Sequence, residues 1–227
     1  MILKIPQVLT PEQVAQGRAI LEAAQWVDGS VTAGFQSTLA KNNIQLPEES
    51  VASREVGDMI LTALAQTPLF MSAALPGKIF PPLFNCYQTG HTFGEHVDNA
   101  IRYVKGTPVK IRTDLSMTLF FSEPEEYEGG ELIIQDTFGE KSVKLAAGDM
   151  ILYPSTSIHR VNPIIKGQRL CSFFWLQSMV ARDEQRSILF ELDNAIQQLR
   201  DSVDTADPAL IKLTGVYHNL LRQWVET

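Results

Sequence analysis

The sequence predicts a mostly β protein of the sandwich or jelly-roll kind, flanked by helices at both ends. Three observations predict it. From Lys78 onward, short runs rich in β-branched, aliphatic and aromatic residues follow one another closely, with Gly, Pro, Asp and Ser between them. Before and after that region, apolar residues recur at helical spacing instead. Within it, strands are not separated by helical stretches, as βαβ units would require.

The elements follow in order. Thr10-Pro11-Glu12-Gln13 reads as a helix start, with Thr as N-cap, Pro at the first helical position and Gln at the capping-box position. Val14, Gly17, Leu21 and Ala24 carry that helix to about Ala24 or Gln25, where Trp26-Val27-Asp28-Gly29-Ser30 breaks it. Residues 29–46 show little periodicity and read as a long connection. A second helix is expected from about Pro47 to Gln66, with Val51, Val56, Ile60, Leu61 and Leu64 as its apolar residues.

The expected strands are Lys78–Tyr87, Leu115–Phe121, Glu131–Gln135, Lys141–Leu145, Met150–Tyr153 and Leu170–Leu176. Turns are legible at Gly129-Gly130, Asp136-Thr137-Phe138-Gly139 and Ala146-Ala147-Gly148-Asp149. Beyond Ser178 the pattern is helical again. Ile188, Leu189, Leu192, Ile196 and Leu199 form one stripe. Asp207-Pro208 opens a last helix bearing Leu210, Leu213, Tyr217, Leu220, Leu221 and Trp224. The division expected is a helical segment over 1–77, a β domain over 78–179 and a C-terminal helical hairpin over 180–227.

At 227 residues the chain is long enough for one large domain. A formal net charge of −7 argues against nonspecific binding to nucleic acid or to anionic membranes. Cys86 and Cys171 make no spaced set and read as small buried hydrophobes. The first residues turn polar too soon for a signal peptide, and no run approaches the ~20 apolar residues of a membrane span. A cytoplasmic location is expected.

The chemistry starts at Gly94-Glu95-His96-Val97-Asp98-Asn99. In an extended chain, residues two apart share a face, so His96 and Asp98 point the same way and Glu95 the other. Alone, H-x-D is a weak signal. A second stretch, Tyr153-Pro154-Ser155-Thr156-Ser157-Ile158-His159-Arg160-Val161, supplies another imidazole, and Arg169 follows ten residues later. Two imidazoles and one carboxylate suit Fe(II), with Mn(II) or Co(II) able to substitute. Three protein ligands leave room for a 2-oxo acid and dioxygen, and Arg169 offers a permanently charged fork for a far carboxylate.

Several motifs resemble the Fe(II)- and 2-oxoglutarate-dependent dioxygenases of the prolyl-4-hydroxylase type. They are His96-Val97-Asp98-Asn99-Ala100, Arg112-Thr113-Asp114-Leu115-Ser116, Tyr127-Glu128-Gly129-Gly130-Glu131-Leu132 and Gly148-Asp149-Met150-Ile151-Leu152-Tyr153-Pro154-Ser155. Ser157-Ile158-His159-Arg160-Val161 and Phe174-Trp175-Leu176-Gln177-Ser178 narrow the likeness to the bacterial PKHD-type hydroxylases. It spans roughly Lys78 to Met179, and the helical tail resembles the C-terminal extension of that subfamily.

The resemblance implies a double-stranded β-helix with iron inside one open end, bound by His96, Asp98 and His159. It implies Arg169 on the distal carboxylate of 2-oxoglutarate, and Tyr87 at a position whose hydroxyl helps hold that co-substrate. A core tyrosine is the equal alternative for Tyr87. The implied reaction consumes dioxygen and 2-oxoglutarate, hydroxylates an unactivated C–H bond, and releases succinate and carbon dioxide. Ascorbate is implied as the reductant that restores Fe(II), and a link to bacterial iron uptake comes with the subfamily.

Two other readings are open on the residues alone. One is an iron and 2-oxoglutarate sensor with little turnover; the other is a cupin-like metal barrel with different chemistry. The substrate, small molecule or peptide, is not named by the residues, nor is the oligomeric state. His91 is expected in a loop near the site, His218 as structural, and Phe173 and Trp175 as barrel packing. The basic stretch Ile101–Arg112, with Arg102, Lys105, Lys110 and Arg112, and the acidic stretch Glu123–Glu131 are expected as solvated loop faces. The basic one also invites the idea of a lid that attracts an anionic ligand.

Overall fold

The computed structural model describes residues 1–29 and 41–226. In chain order the first strands are β1 (Leu3–Ile5), β2 (Val27–Asp28), β3 (Lys41–Asn42), β4 (Ile44–Gln45), β5 (Pro76–Ile79), β6 (Leu83–Gln88), β7 (Thr92–His96) and β8 (Ile101–Tyr103). Then come β9 (Lys110–Arg112), β10 (Leu115–Phe120), β11 (Tyr127–Gly129), β12 (Leu132–Asp136), β13 (Gly139–Val143), β14 (Met150–Pro154), β15 (His159–Val161) and β16 (Ile164–Ser178). The helices are α1 (Pro11–Glu22), α2 (Val51–Ala65), α3 (Pro68–Ala74), α4 (Asp183–Arg200) and α5 (Pro208–Trp224).

Among the described residues the strands make a larger sheet in the order β1-β14-β10-β16-β6-β4-β2, with β11 and β5 also on β16. A smaller sheet runs β13-β12-β15-β7-β3, and β8-β9 is a separate hairpin. Every pairing is antiparallel, and the two sheets face each other as in a jelly roll.

Alternation along the strands of the larger sheet sorts the chain by function. Phe84, Cys86, Leu115, Met117, Leu119, Met150, Leu152, Leu170, Phe174 and Leu176 form one core with the helices. Tyr87, Phe120, Ile151, Tyr153 and Cys171 point the opposite way, into the space between the sheets.

The start of α1 is as expected. Thr10 Oγ1 accepts from the Gln13 amide and Gln13 Oε1 from the Thr10 amide, at 3.3 and 2.9 Å. Gly17 is explained by close approach, since a Cβ there would lie 2.7 Å from the Phe121 ring. The second helix starts later than expected, at Val51, with the Ser50 hydroxyl accepting from the Ser53 amide. Its buried stripe is Val56, Ile60 and Leu64, while Val51 is exposed. The last helix is capped by Asp207 as expected, and its apolar side packs with α4 around Leu75, Val180 and Leu189. On α4, Ile188 and Leu199 are exposed instead of packed, and Phe190 is buried in their place.

Other departures have local causes. The expected strand Lys78–Tyr87 is split, because Pro81-Pro82 removes two ladder donors. The expected connection over residues 29–46 ends in two short strands, β3 on the smaller sheet and β4 on the larger; residues 30–40 lie outside the described residues. The N-terminal segment therefore contributes strands as well as helices. The acidic stretch is partly engaged: Glu126 takes Arg18 at 2.8 Å and Glu123 accepts from the Ala147 amide at 3.1 Å.

Candidate metal and co-substrate site

The two histidines meet because β7 and β15 pair with His96 directly opposite His159. Their ring centres are 4.2 Å apart. Asp98 lies just past the end of β7, and its Oδ2 is 3.7 Å from His159 Nε2. One ligand atom from each of His96, Asp98 and His159 falls within 4.8 Å of the others, a group able to hold a metal ion.

The surroundings prepare these donors. His96 Nδ1 lies 2.8 Å from the Gly94 carbonyl oxygen and His159 Nδ1 3.0 Å from that of Ser157. A carbonyl can only accept, so each Nδ1 carries the proton and each Nε2 keeps its lone pair for a metal. Burial, and next the nearby His159, draw the pKa of His96 down to about 4, so it is neutral near pH 7, the form that ligates. Phe93 stacks on His96 at 3.6 Å and Tyr153 meets His159 edge-on at 5.2 Å, fixing both rings.

Asp98 is held by residues given no role in the sequence reading. The Ser116 hydroxyl donates to Asp98 Oδ2 at 2.6 Å and lies 2.7 Å from the Ser155 hydroxyl. Ser116 has one proton and gives it to the carboxylate, so Ser155 is the donor in the second bond. The available signal was a pair of polar residues, Ser116 and Thr118, alternating with apolar ones on a buried strand.

Arg169 sits deeper, on β16, at 1% exposure. Its guanidinium carbon lies 5.4 Å from the Tyr87 ring centre and 5.1 Å from that of Phe120. Its Nε has no hydrogen-bond partner, and no carboxylate among the described residues pairs with it. The neighbouring groups do not supply an anion either. Burial pushes the Cys171 thiol up to about 11 and raises the phenols of Tyr87, Tyr127 and Tyr153 above their ordinary range. A buried cation without a counter-charge is costly, so the donor set fits an incoming carboxylate.

The triad, Tyr87 and Arg169 all line one cavity of about 800 Å³, counted with its open mouth. Phe173 and Trp175 line it too, while Trp175 also packs with Phe80, Leu83 and Ile111 and Phe173 packs against that cluster, as expected of barrel packing. Both alternate on β16 with residues of the helix-facing core, which turns them inward. Arg102 and Lys41 line the cavity as well, as does Asn85, whose buried Oδ1 lacks a partner. Glu95 points away and binds Arg160 at 3.1 Å. His91 is in a turn outside the cavity, its Nδ1 accepting from the Gln88 amide, and His218 is exposed on α5. Cys86 and Cys171 are free and buried.

Comparison with known proteins agrees with this geometry. Residues 82–177 match the 2OG-Fe(II) oxygenase superfamily, and residues 183–226 match the PKHD-type hydroxylase C-terminal domain. A PKHD-type hydroxylase of Saccharophagus degradans is 66% identical over 227 residues, covering 100% of both chains. Another, of Methylobacillus flagellatus, is 60% identical with the same full coverage. Among solved structures, a prolyl-4-hydroxylase of Pseudomonas putida has a TM-score of 0.51 at 20% identity, covering 78% of this chain and 92% of that one, a likeness of fold. By fold and site, then, the protein is an Fe(II)- and 2-oxoglutarate-dependent dioxygenase. Within that class, the chain belongs to the PKHD-type hydroxylases.

Proposed function

We propose that the enzyme holds Fe(II) on His96, Asp98 and His159, holds 2-oxoglutarate on Arg169 with help from the Tyr87 hydroxyl, and hydroxylates a C–H bond of a substrate in the shared cavity. The observation that carries this is one cavity containing both a three-donor metal set and a buried arginine with no anion of its own. When bound, iron and 2-oxoglutarate would together activate dioxygen for C–H hydroxylation, one oxygen atom entering the substrate and the other the succinate released with carbon dioxide.

The chain's own residues then have distinct tasks. Two Nδ1–H···O=C bonds hold the imidazoles in the ligating tautomer, and the Ser155–Ser116 pair orients the Asp98 carboxylate. Arg169 anchors the far end of the co-substrate and so fixes its reacting end against the metal. Tyr87 stays protonated, its phenol raised by burial, and remains a donor. Phe173 and Trp175 keep one wall apolar and exclude water from the reacting atoms.

In this reading residues 78–179 carry the catalysis, residues 1–77 brace it, and residues 180–227 close its far side. Ascorbate acts as the external reductant, with no residue assigned to it. A cytoplasmic place is part of this reading, and a link to bacterial iron uptake is supported by the subfamily resemblance. No helix among the described residues is long and apolar enough to cross a membrane. Neither the sensor nor the cupin-like reading is favoured by the family placement.

The test is an anaerobic titration of the apoprotein with Fe(II) and then 2-oxoglutarate. A weak visible charge-transfer band is expected, and it should be lost in Arg169→Ala. Iron binding without a band would overturn the co-substrate assignment.

A further inference from the structure

The fold divides the basic stretch 101–112. Arg112 is bound to Asp114 at 2.7 Å and to Glu226 at 2.6 Å. Lys105 meets Glu49 at 2.9 Å in the open, and Lys110 lies over Tyr103. Of the four cations in the stretch, Arg102 is the one that lines the cavity. Its guanidinium carbon is 4.5 Å from the Trp175 ring centre and 5.2 Å from that of Phe80. Its side chain is 17% exposed, and its one ion-pair neighbour among the described residues, Glu48, stands at 4.0 Å, the outer edge of contact. No hydrogen bond to a described residue occupies its five N–H donors.

Lys41 lines the same cavity, its ammonium 5.5 Å from the Phe93 ring centre and 5.8 Å from that of Phe173. Burial, and then the charge of Arg102, draw its pKa down to about 8 against opposing pulls from Asp28 and Asp98. The two cations therefore feel each other within the cavity. In the proposed complex Asp98 and one co-substrate carboxylate would offset the metal, and the other carboxylate would answer Arg169. Neither would supply a partner to Arg102, whose fork lies beside the aromatic walls of Phe80 and Trp175.

We propose that Arg102, with Lys41 beside it, is the substrate-recognition subsite and that the substrate is a small organic acid. Its anionic oxygens sit on the Arg102 fork, and its flat or apolar body lies against Phe173 and Trp175. The planar guanidinium matches such a group in two parallel bonds, and its stacking on Trp175 fixes the fork in advance. A cationic substrate would meet repulsion here. The inference rests on the iron and 2-oxoglutarate reading above.

The test uses the protein loaded with Fe(II) and 2-oxoglutarate, kept anaerobic, and titrated with 3-phenylpropionate and with its neutral amide. Binding is followed by tryptophan fluorescence and by the visible band. The acid should bind roughly 10- to 100-fold more tightly than the amide. Arg102→Gln should erase that preference, Arg102→Lys should keep part of it, and Lys41→Gln should reduce it. A merely structural Arg102 would alter both affinities together. Equal affinities, a preference that survives Arg102→Gln, or no saturable binding of the acid would overturn the proposal. The band separates the two levels: present with no preference, only this inference fails; absent, the co-substrate reading fails as well.

Discussion

Two arginines are all but sealed inside the protein, Arg169 at 1% exposure and Arg186 at 2%. Arg186, on α4, finds a carboxylate and two carbonyls within the chain, although its Nε, like that of Arg169, has no partner. Its Nη1 donates to the Val180 and Ala181 carbonyls at 2.8 and 2.6 Å, and its Nη2 to Asp183 at 3.1 Å. It ties the end of β16 to the start of the C-terminal hairpin. Arg169 is surrounded by the ring faces of Tyr87 and Phe120 and has no carboxylate to answer it. The same residue type at the same depth is a clasp in one place and, on the proposed function, a receptor in the other. What separates them is whether the counter-charge is part of the chain or arrives with a ligand.

The largest effect expected concerns the metal that brings that ligand in. Asp98→Ala or His96→Ala removes one of the three donors, and Asp98 and His96 lie at a strand end, not in the core. Iron binding should be abolished while the thermal transition of the apoprotein stays in place. Unchanged iron stoichiometry, read by metal analysis after desalting, would remove the triad from consideration.

The comparison itself is tested by substituting each arginine with methionine, similar in length and uncharged. Arg169→Met should weaken 2-oxoglutarate binding by roughly two orders of magnitude, yet leave the apoprotein as stable as before or more so, because a buried charge without a partner is gone. Arg186→Met should do the reverse. It orphans the buried Val180 carbonyl and the half-buried Ala181 carbonyl and should cost about 2–4 kcal/mol in unfolding free energy, with co-substrate affinity unchanged. Denaturant melts and calorimetric titrations on both variants decide it. If Arg169→Met destabilises the apoprotein as much as Arg186→Met, the receptor reading of Arg169 is wrong.

A smaller effect belongs to the support of Asp98. Ser116→Ala takes away the 2.6 Å bond to its carboxylate and the proton that Ser155 directs into the pair. Metal affinity should fall roughly 10- to 100-fold, as for other outer-shell partners, without loss of the fold. An unaltered affinity would mean that the main chain alone positions Asp98.

How far the site was legible in the sequence follows from the same distinction between local and distant causes. His96 and Asp98 share a short stretch, and the Thr10 capping box or the Asp207 cap is set by neighbours in sequence. Such features could be read directly. The strand β7, Thr-Phe-Gly-Glu-His, has a glycine and a glutamate and little apolar pattern; it is a strand because β15 and β3 lie on either side. Likewise β16 runs on through Lys166-Gly167-Gln168, which reads as a turn. Gly167 has a φ of +81° there, and a Cβ would lie 2.2 Å from the Glu126 carbonyl oxygen, so the close crossing of the neighbouring chain demands glycine. Arg102 reads as one more charge in a loop, because its aromatic platform comes from elsewhere in the chain, Phe80 from the β5–β6 connection and Trp175 from β16.

Tyr87 carries the smallest effect and the sharpest choice. Its ring packs on Arg169 and lines the cavity, which any core tyrosine at that position would do. Its hydroxyl distinguishes the two roles. Burial raises the phenol's pKa, so near neutral pH it keeps its proton and can donate to a bound carboxylate or keto oxygen. Tyr87→Phe preserves the ring and deletes only that donor. If the hydroxyl holds co-substrate, the KM for 2-oxoglutarate should rise by roughly 3- to 10-fold, the worth of about one hydrogen bond, with the thermal transition little changed. If Tyr87 is packing alone, the KM should not move. Arg169 would then anchor the far end of the co-substrate without the phenol, and the contrast with Arg186 would be sharper still.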